Sequence, residues 1–358
     1  EWEETELGEI CRPQQWPTIS SSDLVEQGYP VYGANGFIGF YSKYNHEHET
    51  VAVTCRGSTC GEVSLIPAKS YVTGNSMCLD NINSSENSYV FVYNVLKSRG
   101  FKDIISGSAQ PQIVGSAIRK IKIYLPKFSE QKKIAATLSS LDELIAAESE
   151  KLQALQTHKR GLMQGLFPAE GETVPRLRFP EFEGGNEWMQ NQLKDACKMQ
   201  AGKFVSASDI HETKQPDFFP CYGGNGLRGY TKTFTHEGKY PLIGRQGALC
   251  GNVMLATGKF HATEHAVVAT PKANVDVDWL YYKLVLLNLN QYATGQAQPG
   301  LSVDNLDKVK INIPETIEEQ QKIAATLYTL DALLTAQRET IEALKLHKKG
   351  LMQGLFPS

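Results

Sequence analysis

The chain has 358 residues, of which 41% are hydrophobic and 21% are charged, and its formal net charge is −3 at pH 7. This length exceeds the usual span of one compact domain, so we expect two or three domains, and with no signal peptide and no apolar run near the roughly 20 residues that cross a bilayer we expect neither a secreted nor a membrane protein. The seven cysteines include no CxxC pair, which favours a reducing cytoplasm, and the weak net charge neither requires nor excludes a nucleic-acid partner.

The first segment, residues 1–128, mixes short β-type runs with a helical stretch. The runs are "VAVTC" at 51–55 and "KIKIYLP" at 120–126, and the helical stretch is "SYVFVYNVLKSRG" at 88–100. This mixture predicts an α/β domain around a twisted sheet.

Residues 129–168 carry a heptad pattern, because their apolar residues alternate in steps of three and four and are interrupted only at Glu148 and Lys159. The pattern predicts a long amphipathic helix of roughly 50 Å with a seam for a second helix. The predicted seam positions are Ile134, Leu138, Leu141, Ile145, Leu152, Leu155 and Leu162.

Residues 169–187, with three glycines and two prolines, are predicted to be a linker. Residues 188–317 then repeat the mixed α/β character of the first segment. A second heptad helix is predicted at 318–358, and its polar interruptions recur at Gln337 and Lys348. Its seam positions are Ile323, Leu327, Leu330, Leu334, Ile341, Leu344 and Leu351.

The two helical segments are copies of each other. "HKRGLMQGLFP" at 158–168 returns as "HKKGLMQGLFP" at 347–357, and 25 of the 39 positions from 130 to 168 are identical at an offset of 189. A period this long indicates a duplicated domain rather than a solenoid. We therefore predict an α+β fold with two mixed α/β domains, separated by a pair of long antiparallel coiled-coil helices with internal pseudo-two-fold symmetry. The alternative, that each helix packs only on its own domain, is less favoured because the seam is longer than one small domain covers.

Sequence patterns that resemble catalytic or metal sites fail on their context. Residues 224–229 match G-x-G-x-x-G, but "YTKTFT" follows where a dinucleotide site needs a helix, and Ala34 replaces the first glycine in the other copy. The "HEH" at 46–48 has no second cluster at ligand spacing. We therefore expect a non-catalytic chain with no metal and no cofactor of its own.

Polar loops are the remaining candidates for function. They are "FYSKYN", "CRGS", "VTGNS" and "SAQPQ" in the first domain, and "LRGYTK", "GRQG", "HATEH" and "QAQPG" in the second. Arg and Lys suit guanine, Asn and Gln suit adenine, and backbone amides at glycine-rich turns suit phosphates. The alternative is that these loops are simply solvated.

The order of the segments, their duplication and the words "EQKKIAATL", "RLRFPEFEG" and "GLMQGLFP" resemble the specificity subunit of type I restriction-modification systems over essentially the whole chain. The resemblance implies a non-catalytic subunit whose target-recognition domains, 1–128 and 188–317, each read one half of a bipartite, asymmetric site on double-stranded DNA. It also implies that the helices set the spacer and dock two methyltransferase subunits.

Further expectations follow from the same resemblance. The methyltransferases would use S-adenosylmethionine, and separate restriction subunits would use ATP with Mg to cleave DNA, all in a bacterial or archaeal cytoplasm without a membrane partner. The lead-in "RLRFPEFEGGNEW" of the second domain has no counterpart before "EWEETELG", so we expect some N-terminal residues to be missing. Two other classes stay open, a coiled-coil adaptor that binds only proteins and a duplicated enzyme.

Comparing the two domains separates two groups of positions. Those that are alike should be scaffold or phosphate contacts, and those that differ should read bases if the half-sites differ. The pairing places Arg56 with Arg245 among the like positions, and Asn75 with Glu264 and Ser76 with His265 among the unlike ones. Glu264 is also a candidate acceptor for a cytosine amino group. The strongest reader candidates are Tyr41, Lys43, Asn75, Arg228, Lys232 and His265, and the other candidate contacts are Asn35, Arg56, Gln110, Asn225, Arg245 and Gln298.

Overall fold

The computed structural model describes residues 2–107, 109–247, 249–295 and 299–356. The chain divides into two compact units, Glu1–Glu150 with Arg338–Ser358, and Lys151–Gln337. Each unit contains one mixed α/β domain, one end of the first long helix and the opposite end of the second. The expected α+β class with duplicated domains and long helices is confirmed.

The first unit builds its domain from two small sheets and a strand pair. Its elements are β1 (Glu3–Glu6), α1 (Leu7–Ile10), β2 (Arg12–Gln15), β3 (Tyr29–Gly33), β4 (Gly36–Tyr41), β5 (Thr50–Thr54), β6 (Val63–Ile66), β7 (Tyr71–Val72), β8 (Ser76–Asp80), α2 (Tyr89–Arg99), α3 (Gly115–Arg119), β9 (Lys122–Leu125) and α4 (Phe128–Leu166), the first long helix. One sheet has the order β2-β8-β5-β6, the other has the order β4-β3-β7, and β1 pairs with β9.

The second unit repeats these elements around one larger sheet. They are β10 (Met189–Gln192), α5 (Leu193–Ala196), β11 (Cys197–Ala201), β12 (Phe219–Gly223), β13 (Gly226–Thr231), β14 (His236–Gly244), β15 (Val253–Ala262), β16 (Ala266–Pro271), α6 (Val277–Leu286), α7 (Val303–Asp307), β17 (Lys310–Ile313) and α8 (Ile317–Leu355), the second long helix. The sheet has six strands in the order β11-β16-β14-β15-β12-β13, and β10 pairs with β17.

One long strand pair is continuous in the second domain and interrupted in the first. β14 and β15 pair without a break from His236↔Phe260 to Ile243↔Val253. In the first domain, β5 and β6 pair from Thr50↔Ile66 to Val53↔Val63, and the ladder resumes at an isolated bridge between His46 and Ser70. The interruption explains why two sheets replace the single sheet of the second domain.

A buried glutamine at the start of each long helix fixes that helix to its domain. The Oε1 of Gln131 accepts a hydrogen bond from the Ser88 amide at the N-terminus of α2, and its Nε2 donates to the Pro126 carbonyl. Gln320 does the same for the Asp276 amide before α6 and for the Pro314 carbonyl. The starts of α2 and α6 are also capped, since the side chains of Ser88 and Asp276 accept amide hydrogens of the first turn.

Within the first unit, the start of α4 packs against the end of α8. Ile134 and Leu138 belong to the same buried cluster as Phe356, whose ring lies 5.8 Å from that of Phe91. Further along α4, Asp142 pairs with Lys348, which precedes Phe356 in the chain. The two segments are therefore antiparallel.

The second unit shows the same arrangement with the helices exchanged. Leu166, near the end of α4, shares a buried cluster with Ile323 near the start of α8. Earlier in α4, Lys159 pairs with Asp331 of α8. These segments are also antiparallel.

The seam residues lie on the inner sides of the helices to different depths. Ile134, Leu138, Ile323, Leu327, Leu330, Leu334 and Ile341 are buried. Leu141, Ile145, Leu152, Leu155, Leu162, Leu344 and Leu351 are half-buried. Two of the predicted polar interruptions, Gln337 and Lys348, are themselves buried, so they belong to the helix interface.

The predicted linker is folded against the second unit instead of extending as a free tether. Arg178 donates from Nε and Nη2 to the two carboxylate oxygens of Glu319, both at 2.8 Å, and Glu319 is buried. The Leu177 amide donates to the Gly165 carbonyl. A bidentate pair of this kind, excluded from water, fixes the segment in place.

Candidate nucleic-acid interface

A polar cleft of about 580 Å³ opens on the first domain where four loops meet. The loops are the turn between β3 and β4, the loop after β5, the turn before β8 and the segment at 110–112. The lining residues are Ala34, Asn35, Arg56, Gly57, Ser58, Thr59, Asn75, Gln110, Pro111 and Gln112. Four of the predicted contacts, Asn35, Arg56, Asn75 and Gln110, are thus brought together although up to 75 residues separate them in the chain.

Backbone hydrogen bonds hold the loops of this cleft in place. The Cys55 amide donates to the Asn75 carbonyl, the Gly57 amide to the Pro111 carbonyl and the Ile113 amide to the Cys55 carbonyl. Because these backbone groups pair with one another, the loops keep their shape while the exposed side chains are left for a ligand.

Two threonine hydroxyls donate hydrogen bonds to the backbone at the tip of the β3–β4 hairpin. Thr54 and Thr59 both donate from Oγ1 to the Ala34 carbonyl, at 3.1 and 3.0 Å. Gly36 follows the tip with φ of 85°, a left-handed conformation that suits glycine. The tip therefore presents Asn35, which is exposed, at the edge of the cleft.

The second domain builds the same loop scaffold from different side chains. The Arg245 amide donates to the His265 carbonyl, the Gly247 amide to the Pro299 carbonyl and the Leu301 amide to the Arg245 carbonyl. These bonds match those of Cys55, Gly57 and Ile113 in the first domain one for one. Asn225, at the equivalent hairpin tip, is exposed as Asn35 is.

This equivalence corrects three of the residue pairs assigned from sequence. The backbone bonds match Cys55 with Arg245 and Asn75 with His265, an offset of 190 rather than 189. The partner of Arg56 is consequently Gln246, which bridges Gly300 as Arg56 bridges Gln112. Ser76 pairs with Ala266, and Glu264 has Gly74 as its counterpart. The alignment of the two domains made from sequence was shifted by one residue in these loops, because glycine-rich segments have no periodic pattern that fixes their alignment.

With the corrected pairs, the cleft loops of the first domain and their counterparts in the second domain share a pattern of backbone hydrogen bonds and differ in side-chain chemistry. The first offers the guanidinium of Arg56 where the second offers the amide of Gln246, and Asn75 is replaced by His265. Thr59, two residues beyond Gly57, corresponds to Leu249, two residues beyond Gly247. Side chains that differ on a common scaffold are what two readers of different sequences require.

Arg245, which the sequence comparison placed among the scaffold positions or phosphate contacts, occupies the scaffold position of Cys55. Its Nε donates to the Leu301 carbonyl at 3.2 Å, and the residue is half-buried. This contact holds the segment around Leu301 of the second domain in place. Gln298, the remaining candidate of that segment, lies outside the described residues.

The other predicted readers lie on the hairpins, in the loops that follow them, or at the position equivalent to Asn75. Tyr41 packs edge-on against Tyr71, with ring centroids 5.3 Å apart, and Lys43 is exposed in the loop that follows. Arg228 is exposed on β13 and runs its aliphatic chain over Gly223, while Lys232 holds its ammonium 5.8 Å from the Phe218 ring. His265 lies 3.2 Å from the Glu264 carboxylate, and both are partly exposed. Tyr41 and Arg228 lie on β4 and β13, the second strands of the two hairpins, and His265 occupies the position of Asn75.

Sequence reasoning missed several cleft residues that lie within loops it had singled out. Ser58, Thr59 and Gln112 line the cleft of the first domain, and Gln246 replaces Arg56 in the equivalent loop of the second domain. The motifs "CRGS", "SAQPQ" and "GRQG" contain or adjoin all four. Only the folded loops show which residues of each motif face the cleft.

Cys55 lies beneath the first cleft and does not supply a ready nucleophile. The residue is fully buried, and burial raises the pKa of its thiol above the ordinary value. The neutral thiol donates to the Asn75 carbonyl at 3.2 Å. Its role is to support the loop.

Two sets of loops with one pattern of backbone hydrogen bonds and unlike side chains, each carried on a unit with paired helix ends, define a duplicated recognition protein. The sequence profile described as "Type I restriction modification DNA specificity domain" matches residues 1–157 and 185–346. The chain therefore belongs to the type I restriction-modification DNA specificity family. It is a non-catalytic specificity subunit with two target-recognition domains.

Individual relatives give the same assignment. The type I restriction enzyme EcoprrI specificity subunit of Escherichia coli is 47% identical over 154 residues, which cover 43% of this chain and 38% of that relative. The MjaVIII specificity subunit of Methanocaldococcus jannaschii is 24% identical over 395 residues, covering 99% of this chain and 92% of that relative.

Solved structures share the fold. The S subunit from M. genitalium superposes with a TM-score of 0.75 at 20% identity, covering 100% of this chain and 96% of the other. A chain from a study of complex assembly and conformational transition of the type I R-M system gives a TM-score of 0.59 at 17% identity, covering 98% of this chain and 96% of the other. Within the described part of the chain, no helix combines the length and apolarity needed to cross a membrane.

Proposed function

We propose that each target-recognition domain reads one half of a bipartite, asymmetric site on double-stranded DNA through its polar cleft and the adjoining hairpin. The observation that carries the proposal is the pair of loop sets with matching backbone bonds and different side chains at 56 and 246, and at 75 and 265. Shared backbone geometry suits a common approach to the duplex, and the unlike side chains give the two halves different sequences.

The side chains of the first cleft have the chemistry of major-groove readout. Arg56 is exposed and can donate two hydrogen bonds to the O6 and N7 of guanine. Asn75 and Gln110, also exposed, match the N6 and N7 of adenine. In the second domain Gln246, Arg228 and His265 take the corresponding roles.

The long helices are proposed to set the spacer between the half-sites and to dock two methyltransferase subunits. Their outer faces carry identical exposed residues in both copies, including Leu144 with Leu333, which are 43% and 49% exposed. Ala154 with Ala343 and His158 with His347 are also exposed. Identical surfaces presented twice fit one kind of partner that binds twice.

The chemistry of modification and cleavage belongs to those partners in this proposal. The methyltransferases would use S-adenosylmethionine to methylate adenine, and restriction subunits would use ATP with Mg. A cytoplasmic location is proposed with it, supported by seven free cysteines that suit a reducing compartment.

The test replaces a cleft residue with its counterpart from the other domain. Arg56→Gln and the reciprocal Gln246→Arg are each assembled with the methyltransferase in a host without the native system, and methylated adenines are mapped by single-molecule sequencing. Each variant should change base preference in one half-site only, by about 1–3 kcal/mol per base pair, with the spacer unchanged.

One result would change the role assigned to Arg56, and another would contradict the proposal. A loss of binding by Arg56→Gln that is uniform over all sequences would make Arg56 a phosphate contact. If the wild-type chain with its methyltransferase shows no preference among DNA duplexes, the reading of half-sites is wrong.

A further inference from the structure

A buried cluster of three unlike side chains lies in the first domain, outside the cleft. It comprises His46 from the loop after β4, and Cys78 and Asp80 from one face of β8. One nitrogen, one sulfur and one carboxylate oxygen lie within 4.8 Å of one another. His46 is 8% exposed and Cys78 is 0% exposed, while Asp80 is half-buried, so the group is largely buried and reaches solvent at Asp80.

Hydrogen bonds define which nitrogen of His46 faces the cluster. The Asn45 amide is oriented by the backbone of Val72, whose N–H donates to Oδ1 and whose carbonyl accepts from Nδ2. Oδ1 of Asn45 is therefore an acceptor, and it lies 2.7 Å from Nδ1 of His46. Nδ1 must carry a proton, which leaves Nε2 directed at Asp80, 3.0 Å from Oδ1.

The outer contacts of the cluster resemble the supports that orient metal ligands. A ligating histidine commonly donates its other N–H to an oxygen, as His46 does to Asn45, and ligating carboxylates are themselves hydrogen-bonded. Here the indole of Trp16 donates to Oδ2 of Asp80 at 3.0 Å, so Oδ1 stays on the side of His46. The Trp16 ring also packs edge-on against the imidazole, 5.3 Å between centroids.

The second domain provides an internal comparison at the same positions. His236 corresponds to His46, and its Nδ1 contacts the Thr235 hydroxyl as Nδ1 of His46 contacts Asn45. Strand pairing aligns Val268 with Cys78, because Leu242↔Val268 repeats Ala52↔Cys78. The position two residues on, Asp80, is Thr270. The two candidate ligands on β8 therefore have no equivalents there.

The two domains also differ in strand pairing at this point. In the second domain, the ladder beside His236 runs without interruption to Ile243, and the His236 ring stacks on Phe260. In the first, the ladder stops between the His46↔Ser70 bridge and Thr50↔Ile66. The cluster lies at this gap. It connects the His46 loop, which pairs with the residue before β7 in one sheet, to β8 in the other sheet. A link between these side chains would hold the two sheets together where the strand pairing is missing.

We propose that His46 Nε2, Cys78 Sγ and an Asp80 carboxylate oxygen bind one divalent transition-metal ion of the zinc type, which fastens the two sheets of the first domain together. Nitrogen, thiolate and carboxylate ligands together suit zinc, and three protein ligands leave one tetrahedral position for water. Cys78 must give its thiol proton to solvent as the sulfur–metal bond forms. This inference does not depend on DNA reading.

Sequence spacing alone did not predict this site. The "HEH" motif groups His46 with His48, but His48 is exposed and the groups beside His46 come from β8, more than 30 residues away. The expectation of a chain without a metal rested on local spacing, which does not reveal ligands brought together by strand pairing.

The experiment measures metal bound by the full-length protein. Wild-type protein is stripped with a chelator, dialysed against zinc and analysed for metal content, and a parallel sample is loaded with Co²⁺ to look for the thiolate-to-cobalt absorption band. We expect one zinc per chain and a clear band. Cys78→Val should reduce both to less than about a tenth of the wild-type signal, because the thiolate ligand is lost.

Cys221→Val is the matched control. Cys221 is a fully buried cysteine in the second domain, and its counterpart in the first domain is Val31, so both substitutions insert a valine that the other domain already accepts. Cys221→Val should keep one zinc and the cobalt band. Trp16→Phe, which removes the N–H bonded to Asp80 but keeps a ring, should weaken zinc binding about 10-fold.

Clear results would overturn the proposal. Wild-type protein that retains less than a tenth of an equivalent of zinc would leave His46 and Asp80 as a hydrogen-bonded pair only. Cys78→Val that binds as much zinc as Cys221→Val would place any metal elsewhere. If Cys78→Val fails to fold, Asp80→Asn decides the question, since full metal content in that variant also contradicts the site.

Discussion

The ammonium of Lys348 lies 2.5 Å from the carboxylate of Asp142, and Lys348 is only 7% exposed. In the sequence repeat, Lys159 corresponds to Lys348 and Asp331 corresponds to Asp142. Lys159 and Asp331 form the same pair in the second unit. Each pair joins α4 to α8 at a position where the heptad pattern has a polar residue. A pair of this kind, whose lysine is buried or half-buried, favours one register and one direction of the two helices, because a shifted register leaves the ammonium without its carboxylate.

Removing the carboxylate alone should therefore destabilise the first unit. Asp142→Ala leaves the Lys348 ammonium buried without its partner, and we expect the free energy of unfolding to fall by about 1–3 kcal/mol. Urea denaturation followed by circular dichroism measures the change. The double variant Asp142→Ala with Lys348→Met is the control, since removing both charges should recover most of the loss. A single variant within about 0.5 kcal/mol of wild type would show that the pair contributes nothing.

Arg228 tests whether the β12–β13 hairpin of the second domain reads a base. If Arg228 contacts guanine with two hydrogen bonds, both Arg228→Ala and Arg228→Lys should relax specificity at one base pair of one half-site, at a cost of about 1–3 kcal/mol. Lysine keeps the charge but cannot form the paired contact. Competition binding with single-base variants of the site measures this. If Arg228→Lys behaves as wild type and Arg228→Ala is weaker on every sequence, the residue contacts a phosphate.

The proposed spacer role predicts a defined response to helix length. Seven residues inserted after Ala147, matched by seven inserted after Glu342, preserve the heptad phase of both helices. At 1.5 Å per residue the insertion adds about 10 Å, so the preferred spacer between half-sites should lengthen by about three base pairs. Mapping the methylated sites of the variant gives the spacer directly. Recognition of the original spacer with unchanged efficiency would contradict the role of the helices as a ruler.

Lys283 on α6 makes the stability of the second unit depend on pH. The residue is 5% exposed, its ammonium lies 5.7 Å from the Phe167 ring, and burial lowers its pKa to about 8. Between about pH 8 and the ordinary lysine pKa near 10.4, the unfolded chain binds more protons than the folded one, so this residue makes stability rise with pH in that window. Below it, the full cost of burying the charge applies.

Lys283→Met should remove that cost. At pH 7 we expect the free energy of unfolding to rise by about 1–3 kcal/mol, and the gain over wild type should shrink as the pH is raised towards 10. Urea denaturation of both proteins at pH 7, 8.5 and 9.5 tests this. A gain that does not change with pH would mean that packing, and not charge, is the cause. A loss of stability at pH 7 would show that the ammonium has a stabilising partner in the folded state.

The sequence by itself determined the features that depend on local periodicity. The heptad spacing of Leu138, Leu327 and their neighbours predicted two long helices because an α-helix returns to the same face every three or four residues, whatever surrounds it. The exact repeat of "GLMQGLF" identified the duplication, and the residue types in "CRGS" and "SAQPQ" singled out loops that do line a cleft.

Tertiary structure decided everything that depends on which distant segments meet. The match of Asn75 with His265 is visible only in the backbone bonds, because loop residues have no periodic pattern that fixes their alignment. The same holds for Lys348, which looked like an interruption of the seam until Asp142 was found opposite it. His46, Cys78 and Asp80 converge only because a strand ladder stops early in one domain. Pairing of strands and packing of helices are long-range interactions, and their register is set by the whole fold.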